Sequence, residues 1–533
     1  MNERTKPGLR AIEAALLLGV LGDGLLRAEP WGLNVPLWTG ALAIALVVLL
    51  ARQRRRVLAN GGHWLLLTAL LFASSIAWRD SKTLNVLALF CVIIALASLA
   101  WRATSAGTWL TGIAEYVLGT ITVGVNTFFF GFALLLREVR WKEMPKAGWM
   151  KNAKSILLGV IIALPLLLIF GSLFVSADAG FEHMVQRMFS THEDIPGHIM
   201  LTLILAWVSG GFLHGIVFAP ELKAANDSEG PSATLSMSER PGVEPTGMDA
   251  APQASARSPR AIGIVEIGTT LGLLNMLFLT FVLLQLRYLF GGAALVQASD
   301  TLTFAEYYRR GFFELVTAAT LVVPILLGAH WMLGDSNAKH QRIFRLLAGL
   351  QVVLVLVIMV SAVRRMLLYQ SEYGLTELRL YTTAFMAWLG LVFIWFSLTV
   401  LRGRRDRFAC GALVAGFLII AALHMVNPDA LIVRVNVAHA RAGRSFDVNY
   451  AASLSADGLP ALMDALPSLN ADDRRRIIEM KVLAAAAVHQ RDDWRTWNWS
   501  RARGRYAVQR NVDRLREVID SPRDRWVIDS LGH

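Results

Sequence analysis

A dozen apolar runs, each 17 to 30 residues long, dominate the chain and restrict what it can fold into. Each run is about long enough to cross a hydrocarbon core of roughly 30 Å as an α-helix. Membrane β-strands would instead alternate apolar and polar residues over about ten positions, and none of these runs does. The sequence therefore predicts an all-α, polytopic membrane protein. The predicted spans are 11–28, 35–51, 62–78, 84–101, 107–136, 155–175, 198–219, 264–290, 312–333, 343–363, 378–401 and 408–426.

The net charge of +12 comes largely from basic residues in short loops beside these runs. This distribution is typical of cytoplasmic loops, and it argues against nucleic acid as a partner. Basic clusters lie at 52–56, 137–154 and 402–407. The six spans between the last two clusters are compatible with both facing the cytoplasm, whereas the three between the first two are not. Segment 107–136 is then re-entrant, interfacial or a broken pair, and the prediction is 11 to 13 spans.

Two polar segments divide the chain. Residues 220–260 are rich in Ser, Pro, Ala and Gly, which is typical of a disordered linker, and the loop count places them in the cytoplasm. Residues 428–533 are charge-rich with helical periodicity, which predicts a small helical region on the extracytoplasmic side. The predicted domains are an N-terminal membrane half (1–219), the linker (220–260), a C-terminal membrane half (261–427) and the soluble helical region (428–533).

Unusual polar residues of the C-terminal membrane half fall at its predicted extracytoplasmic end, where the positive-inside rule does not favour arginine. Glu306 and Arg310 are four residues apart, as are Arg310 and Glu314, so each pair shares a helix face. Such a cluster could bind an anionic headgroup, a carboxylate or a phosphate, or it could be an internal ion-pair network between two helix hairpins. The candidate residues are Arg287, Glu306, Arg309, Arg310, Glu314, Arg364, Arg365, Tyr373, Glu377, Arg379, Tyr381, Asn427 and Asp429.

Signals for metal, cofactor and catalytic chemistry are weak. A histidine-bearing loop follows the amphipathic stretch 181–187, but it has no tight metal motif such as H-E-x-x-H. Walker A, G-x-G-x-x-G, G-x-S-x-G and kinase motifs are absent from the sequence. We therefore expect hydrated histidines at the membrane surface, no metal, no cofactor and no assigned catalytic residue. The histidines and carboxylates of the loop are His183, His192, Glu193, Asp194 and His198.

Five segments of the chain are distinctive: ALPLLLIFGSLFVSAD (163–178), YYRRGFFEL (307–315), YGLTELRLY (373–381), NPDALIVRVN (427–436) and DVNYAASLSADGLPAL (447–462). They resemble a bacterial integral-membrane family, the domain of unknown function 4173, which has a relative numbered 4153. The resemblance extends over roughly 150–530 and implies a bacterial membrane protein with no assigned activity, so it transfers no catalytic residues.

Three functions stay open at this point. The first is a non-enzymatic sensor or scaffold with the Arg/Tyr/Glu cluster at the outer face of a bacterial inner membrane. The second is a transporter or flippase of an anionic lipid or small solute, and the third is a membrane enzyme acting on a lipid-linked substrate. The expected partners are the lipid bilayer, a protein bound through 428–533 and an anionic ligand, with no nucleic acid.

Overall fold

The computed structural model describes residues 5–52, 61–104, 127, 195–218, 264–297, 312–333, 337–404, 407–482 and 493–517. Regular structure within these ranges is helical, with no strand, so the predicted all-α class is confirmed. Seven of the described helices are long and apolar enough to cross a membrane. Predicted span 107–136, apart from residue 127, predicted span 155–175 and the predicted linker 220–260 lie outside the described residues. The count of 11 to 13 spans stays a prediction.

The chain separates into two compact units, neither of which is one continuous stretch. The first unit contains residues 1–107, 114–229 and 489–502, and the second contains 108–113, 230–488 and 503–533. The predicted domain boundaries at 219 and 261 stay predictions. The described helices of the first unit are α1 (Thr5–Leu26), α2 (Asn34–Arg52), α3 (His63–Trp78), α4 (Lys82–Thr104) and α5 (Ile195–Val217).

In the first unit, α1 and α5 approach each other closely at small residues. A Cβ atom added at Gly19 would lie 2.4 Å from the Thr202 carbonyl oxygen and 2.7 Å from Ala206 Cβ. Lipid gives no hydrophobic driving force for helix association, so close backbone packing at small residues contributes much of the stability. All five helices contribute to a core that includes Leu46, Leu99 and Leu213.

The membrane part of the second unit follows the predicted spans within a few residues at most helix ends. Its described helices are α6 (Ile264–Gln297), α7 (Phe312–Leu333), α8 (Ala338–Tyr373), α9 (Glu377–Thr399) and α10 (Phe408–Val426). Phe396 and Phe408 meet edge to face with ring centroids 5.6 Å apart. Trp388 Nε1 donates to the Ala412 carbonyl oxygen at 3.0 Å, so α9 and α10 are joined by a hydrogen bond as well as by packing.

Helix α8 is much longer than the predicted span 343–363. Its 36 residues extend about 54 Å, well beyond a hydrocarbon core of about 30 Å. The polar stretch after Val363, which lies outside the predicted span, is helical up to Tyr373, and α9 begins only four residues later. Helices α8 and α9 therefore form a hairpin with a short turn. We call residues 373–377 the hairpin tip.

After the last span, the second unit continues as a set of short helices in the region predicted to be soluble, which we call the soluble part. They are α11 (Pro428–Arg441), α12 (Val448–Ser453), α13 (Leu459–Ala465) and α14 (Ala471–Ile477), followed by a π-helical turn at Ile478–Val482. Their core includes Ile432, Val433, Leu462 and Met463. In the C-terminal part of the chain, α15 (Trp499–Gln509) and α16 (Val512–Arg516) complete the described helices.

Candidate functional site

The hairpin tip is bound to α11 through the amide side chain of Asn436, whose oxygen and nitrogen both make hydrogen bonds to Leu375. Leu375 N donates to Asn436 Oδ1 at 2.7 Å, and Asn436 Nδ2 donates to the Leu375 carbonyl oxygen at 2.9 Å. Gly374, with φ of 73°, makes the turn in the left-handed region that favours glycine. A Cβ at Gly374 would lie 2.6 Å from Asn436 Oδ1, so glycine is also required for the close approach.

The side chain of Arg379 makes its contacts within the α8–α9 hairpin. Its Nη1 donates to the carbonyl oxygens of Tyr373 at 3.0 Å and Gly374 at 2.5 Å. The first is the last carbonyl of α8 and the second belongs to the C-cap residue, so neither has a partner within that helix. Its guanidinium carbon also lies 4.2 Å from the centroid of the Tyr369 ring, a cation–π contact. In this arrangement Arg379 closes the turn and places its charge at the negative end of the α8 dipole.

Glu377 joins the start of α9 to two elements of the soluble part. Its backbone N donates to Tyr450 Oη at 2.7 Å, and its carboxyl group lies near that of Asp429. Burial raises the pKa of Tyr450, and the charges of Glu377 and Asp429 act in the same direction. The hydrogen bond from Glu377 N and the charge of Arg379 oppose them. Tyr450 is therefore held as a neutral phenol.

Asp429 is fully buried at the exit of the last span. Its Oδ2 accepts from Ser455 N at 3.0 Å and from Ser455 Oγ at 2.5 Å. Asn427, at φ of 57°, caps α11 by accepting from Ala430 N, and its Nδ2 donates to the Asp457 carbonyl oxygen at 3.2 Å. The N-P-D sequence therefore ends α10, starts α11 and carries a buried carboxylate that is held by serine donors.

The structure brings only part of the predicted cluster together. Glu377, Arg379, Asn427 and Asp429 contribute to the joint between the hairpin tip and the soluble part. Tyr373 contributes its carbonyl oxygen while its side chain is 49% exposed. Of the predicted residues on α8 and α9 outside the tip, Arg364 is exposed and Arg365 and Tyr381 are half-buried.

The remaining predicted residues have no side-chain description. Arg287 lies in α6 and Glu314 in α7, but only the backbone of these positions is described, and Glu306, Arg309 and Arg310 lie outside the described residues. Sequence reasoning missed three residues of the joint, Asn436, Tyr450 and Ser455. The first is part of the NPDALIVRVN segment, but no spacing in the sequence connects it to residue 375.

The first unit has its own polar joint, formed by residues 493–502, which we call the docked segment. Asn498 is 2% exposed and donates to the carbonyl oxygens of Ile76 at 2.8 Å and Arg79 at 2.9 Å. These carbonyls end α3, where the helix leaves acceptors unpaired. Leu33 N, just before α2, donates to the Trp497 carbonyl oxygen at 2.9 Å. One short segment thus binds the α1–α2 and α3–α4 connections.

Two arginines of the docked segment pair with acids. Arg501 Nη1 lies 3.0 Å from Asp80 Oδ1. Arg495 Nη2 lies 2.5 Å from Asp493 Oδ2, and Arg495 also donates to the Gly24 carbonyl oxygen. Hydrogen bonds from Arg495 lower the pKa of the Asp493 carboxyl, and the same bonds raise the pKa of Arg495. Both arginines are therefore used to hold the docked segment in place.

A third polar contact joins α1 to α5. His198 Nδ1 lies 2.5 Å from Asp23 Oδ2, and Arg27 Nη1 lies 4.0 Å from Asp23 Oδ1. The other histidines and carboxylates of the predicted loop lie outside the described residues. Within the described ranges, no three His, Cys, Asp or Glu side chains are grouped so that they could hold a metal ion.

Two amides lie in the apolar core of the second unit. Asn275 of α6 is 4% exposed and donates to the Leu347 carbonyl oxygen at 2.9 Å. Gln351, one turn further along α8, is 0% exposed, and neither atom of its amide has a hydrogen-bond partner among the described residues. Polar groups at membrane depth are costly and usually have a role in packing or function.

These features define a class: a multi-pass α-helical membrane protein whose soluble C-terminal helices are joined to the ends of its membrane helices by buried polar contacts. The model of the domain of unknown function 4153 (DUF4153) matches residues 66–465, well over half of the chain. The protein belongs to this family. The similarity to family 4173 rests on the sequence segments alone and stays a prediction. No curated protein and no solved structure matches the chain.

Proposed function

We propose that the protein is a non-enzymatic sensor or scaffold of a bacterial inner membrane, in which region 428–533 binds a protein partner at the extracytoplasmic face. The observation that carries this proposal is the joint at the hairpin tip. Asn436 and Tyr450 belong to soluble helices, yet both bond directly to the backbone between α8 and α9. A partner that moves α11 or α12 therefore acts on two membrane helices at once.

The proposed orientation is supported by the direction of the helices within each unit. In the second unit, α9 runs from the hairpin tip to the basic residues 402–407, and in the first, α2 runs from its contact with the docked segment to the basic residues after Arg52. Basic loops face the cytoplasm, which supports an extracytoplasmic position for both joints. A cysteine at Asp464 should react with an impermeant maleimide in intact cells, whereas one at Gly403 should react only after the cells are permeabilised.

Partner binding can be tested by photo-crosslinking in intact cells. Asn449 and Asp464 are exposed on the soluble helices and can each be replaced by a photoreactive residue. The matched control is Leu418, which is 64% exposed on membrane helix α10. The proposal predicts one discrete protein adduct from both outer positions and none from the control. A purified monomer, together with no adduct from either outer position, would contradict it.

A second candidate function, transport of a small solute or an anionic lipid, is favoured by the buried amides Asn275 and Gln351. If Gln351 contacts a solute that crosses the membrane, Gln351→Leu should reduce uptake into proteoliposomes. Thr320→Val, at an exposed position of α7 whose hydroxyl bonds within its own helix, is the control. Equal uptake by the protein and both variants would remove the support that these amides give to transport.

A further inference from the structure

The docked segment carries three tryptophans with large exposed surfaces. Trp494, Trp497 and Trp499 are 64%, 42% and 51% exposed. Together they expose on the order of 300 Å² of mostly apolar surface, and the rings of Trp497 and Trp499 lie side by side with centroids 6.4 Å apart. The indole N–H groups of all three have no hydrogen-bond partner among the described residues. Both the rings and their donors are therefore available to a partner outside the chain.

The backbone of the docked segment is fixed at the ends of membrane helices. Trp497 accepts a hydrogen bond from Leu33 N, directly before α2, and Asn498 bonds to the last turn of α3. Helix α2 has 19 residues and is about 28 Å long, while a hydrocarbon core is about 30 Å thick. Because α2 is only about as long as the hydrocarbon core is thick, a span formed by α2 has its first residue at the edge of the hydrocarbon. The docked segment lies at that depth as well.

We propose that the docked segment is an interfacial anchor whose exposed tryptophans lie in the phospholipid headgroup layer next to the first unit. Tryptophan is enriched at this depth because its ring is amphipathic, and ester and phosphate oxygens of the lipids accept hydrogen bonds from indole N–H groups. The segment's arginines do not supply this contact, since Arg495 and Arg501 are paired with Asp493 and Asp80. The occupant of the patch is therefore the headgroup layer itself, and this inference does not depend on the proposed function.

Depth-dependent quenching tests the anchor in the full-length protein. Cys91 and Cys410 are first replaced by alanine, and an environment-sensitive fluorophore is attached at Trp494→Cys or, separately, at Trp499→Cys. The protein is placed in nanodiscs of phosphatidylcholine and phosphatidylglycerol with a nitroxide near the headgroups. Both labels should be quenched several-fold more by the nitroxide lipid than by aqueous iodide. The control is a label at Asp513, a side chain that is 95% exposed, for which iodide should be the stronger quencher.

Two outcomes would overturn the anchor. Labels at 494 and 499 that respond to iodide as the control does would show that the segment lies in water. Labels that are shielded from both quenchers would show that protein, from a second copy or a co-purified partner, covers the patch. Hydrogen exchange of the Leu33 amide, which donates to the Trp497 carbonyl oxygen, reports whether the segment is still docked in each labelled variant, so that loss of docking is not mistaken for a wrong depth.

Discussion

The hairpin tip and the docked segment both attach polar parts of the chain to the ends of membrane helices, but they do so with different side chains. Each ties polar chain to the ends of two membrane helices, and each uses one asparagine for two backbone contacts, Asn436 in the tip and Asn498 in the docked segment. The joint at the hairpin tip also contains two carboxylates: Glu377 is half-buried, and Asp429 of α11 is 0% exposed. The acids of the docked segment, Asp80 and Asp493, stay partly exposed and face arginines.

This difference predicts how the two joints respond to change. A buried carboxylate with its donors fixed by the backbone is costly to disturb, because any unpaired group stays out of water. Exposed ion pairs contribute about 0 to 1 kcal/mol and are screened by salt. The hairpin tip should therefore be sensitive to single substitutions, and the docked segment should depend on Asn498 far more than on its ion pairs.

The largest effect is expected at Gly374. Gly374→Ala adds a Cβ 2.6 Å from Asn436 Oδ1 at a positive φ, so the Asn436 amide must move away, and we expect its bonds to Leu375 to be lost. The left-handed backbone costs about 1–2 kcal/mol for an L-residue, and loss of the buried bonds adds about 1–3 kcal/mol. The measurement is the apparent melting temperature in detergent.

Gly443→Ala is the matched control for this substitution. Gly443 has φ of 82°, but a Cβ there would meet nothing within 4 Å, so only the backbone cost applies. The difference between the two variants measures the joint at the hairpin tip. Equal losses of stability would mean that the bonds to Asn436 contribute nothing.

Asn498→Ala should have the next largest effect. It removes both hydrogen bonds from the docked segment to the end of α3, and we expect a loss of about 2 kcal/mol, roughly 1 kcal/mol for each bond. Asn511→Ala is the comparison, since the Asn511 side chain bonds to residues close by in the chain: Nδ2 donates to the Ala507 carbonyl oxygen and Oδ1 accepts from Arg514 Nη1. Hydrogen exchange of residues 493–502 should increase for Asn498→Ala and stay unchanged for Asn511→Ala. The reverse pattern would contradict the role given to Asn498.

The two joints also show how far sequence reasoning reached. Apolar length predicted the described membrane helices closely, since lipid leaves a helix as the way to satisfy the backbone of a span. At the hairpin tip, the unusual polar residues Glu377, Arg379 and Asp429 were found because they are out of place beside apolar runs. Asn498 was missed. Its partners are 419 and 422 residues away in the chain, and a lone asparagine in a polar segment gives no periodic signal.

Tyr450→Phe should have a smaller effect, because it removes one acceptor, that of the Glu377 N–H, and leaves the ring in place. We expect a loss of about 1 kcal/mol, measured as a shift in melting temperature at neutral pH. Tyr506→Phe, at a side chain that is 60% exposed, should have almost no effect. If the two variants were equally stable, the bond between Tyr450 and the hairpin tip would not contribute to stability.

The pH dependence of the same pair of variants sharpens the test. The pKa of Tyr450 is raised by burial, so its contribution to stability is fully present below the ordinary tyrosine value of about 10. That contribution is lost as the pH rises through the raised value in the folded protein. The protein with Tyr450 should therefore lose stability more steeply above pH 10 than Tyr450→Phe does. Parallel curves would show that Tyr450 is not held neutral.

The smallest effect is expected at the Asp493–Arg495 pair, because both side chains are partly exposed, at 28% and 34%, and water screens their charges. Hydrogen bonding from Arg495 lowers the pKa of Asp493, so the pair stabilises the docked segment above the ordinary aspartate value of about 3.9 and loses this effect as the pH falls through the lowered value. Asp493→Asn should increase the mobility of a spin label at residue 494 slightly, and high salt should produce a similar change. A spin label as mobile as in Asn498→Ala would show instead that the docked segment depends on its charges, and the contrast with the hairpin tip would fail.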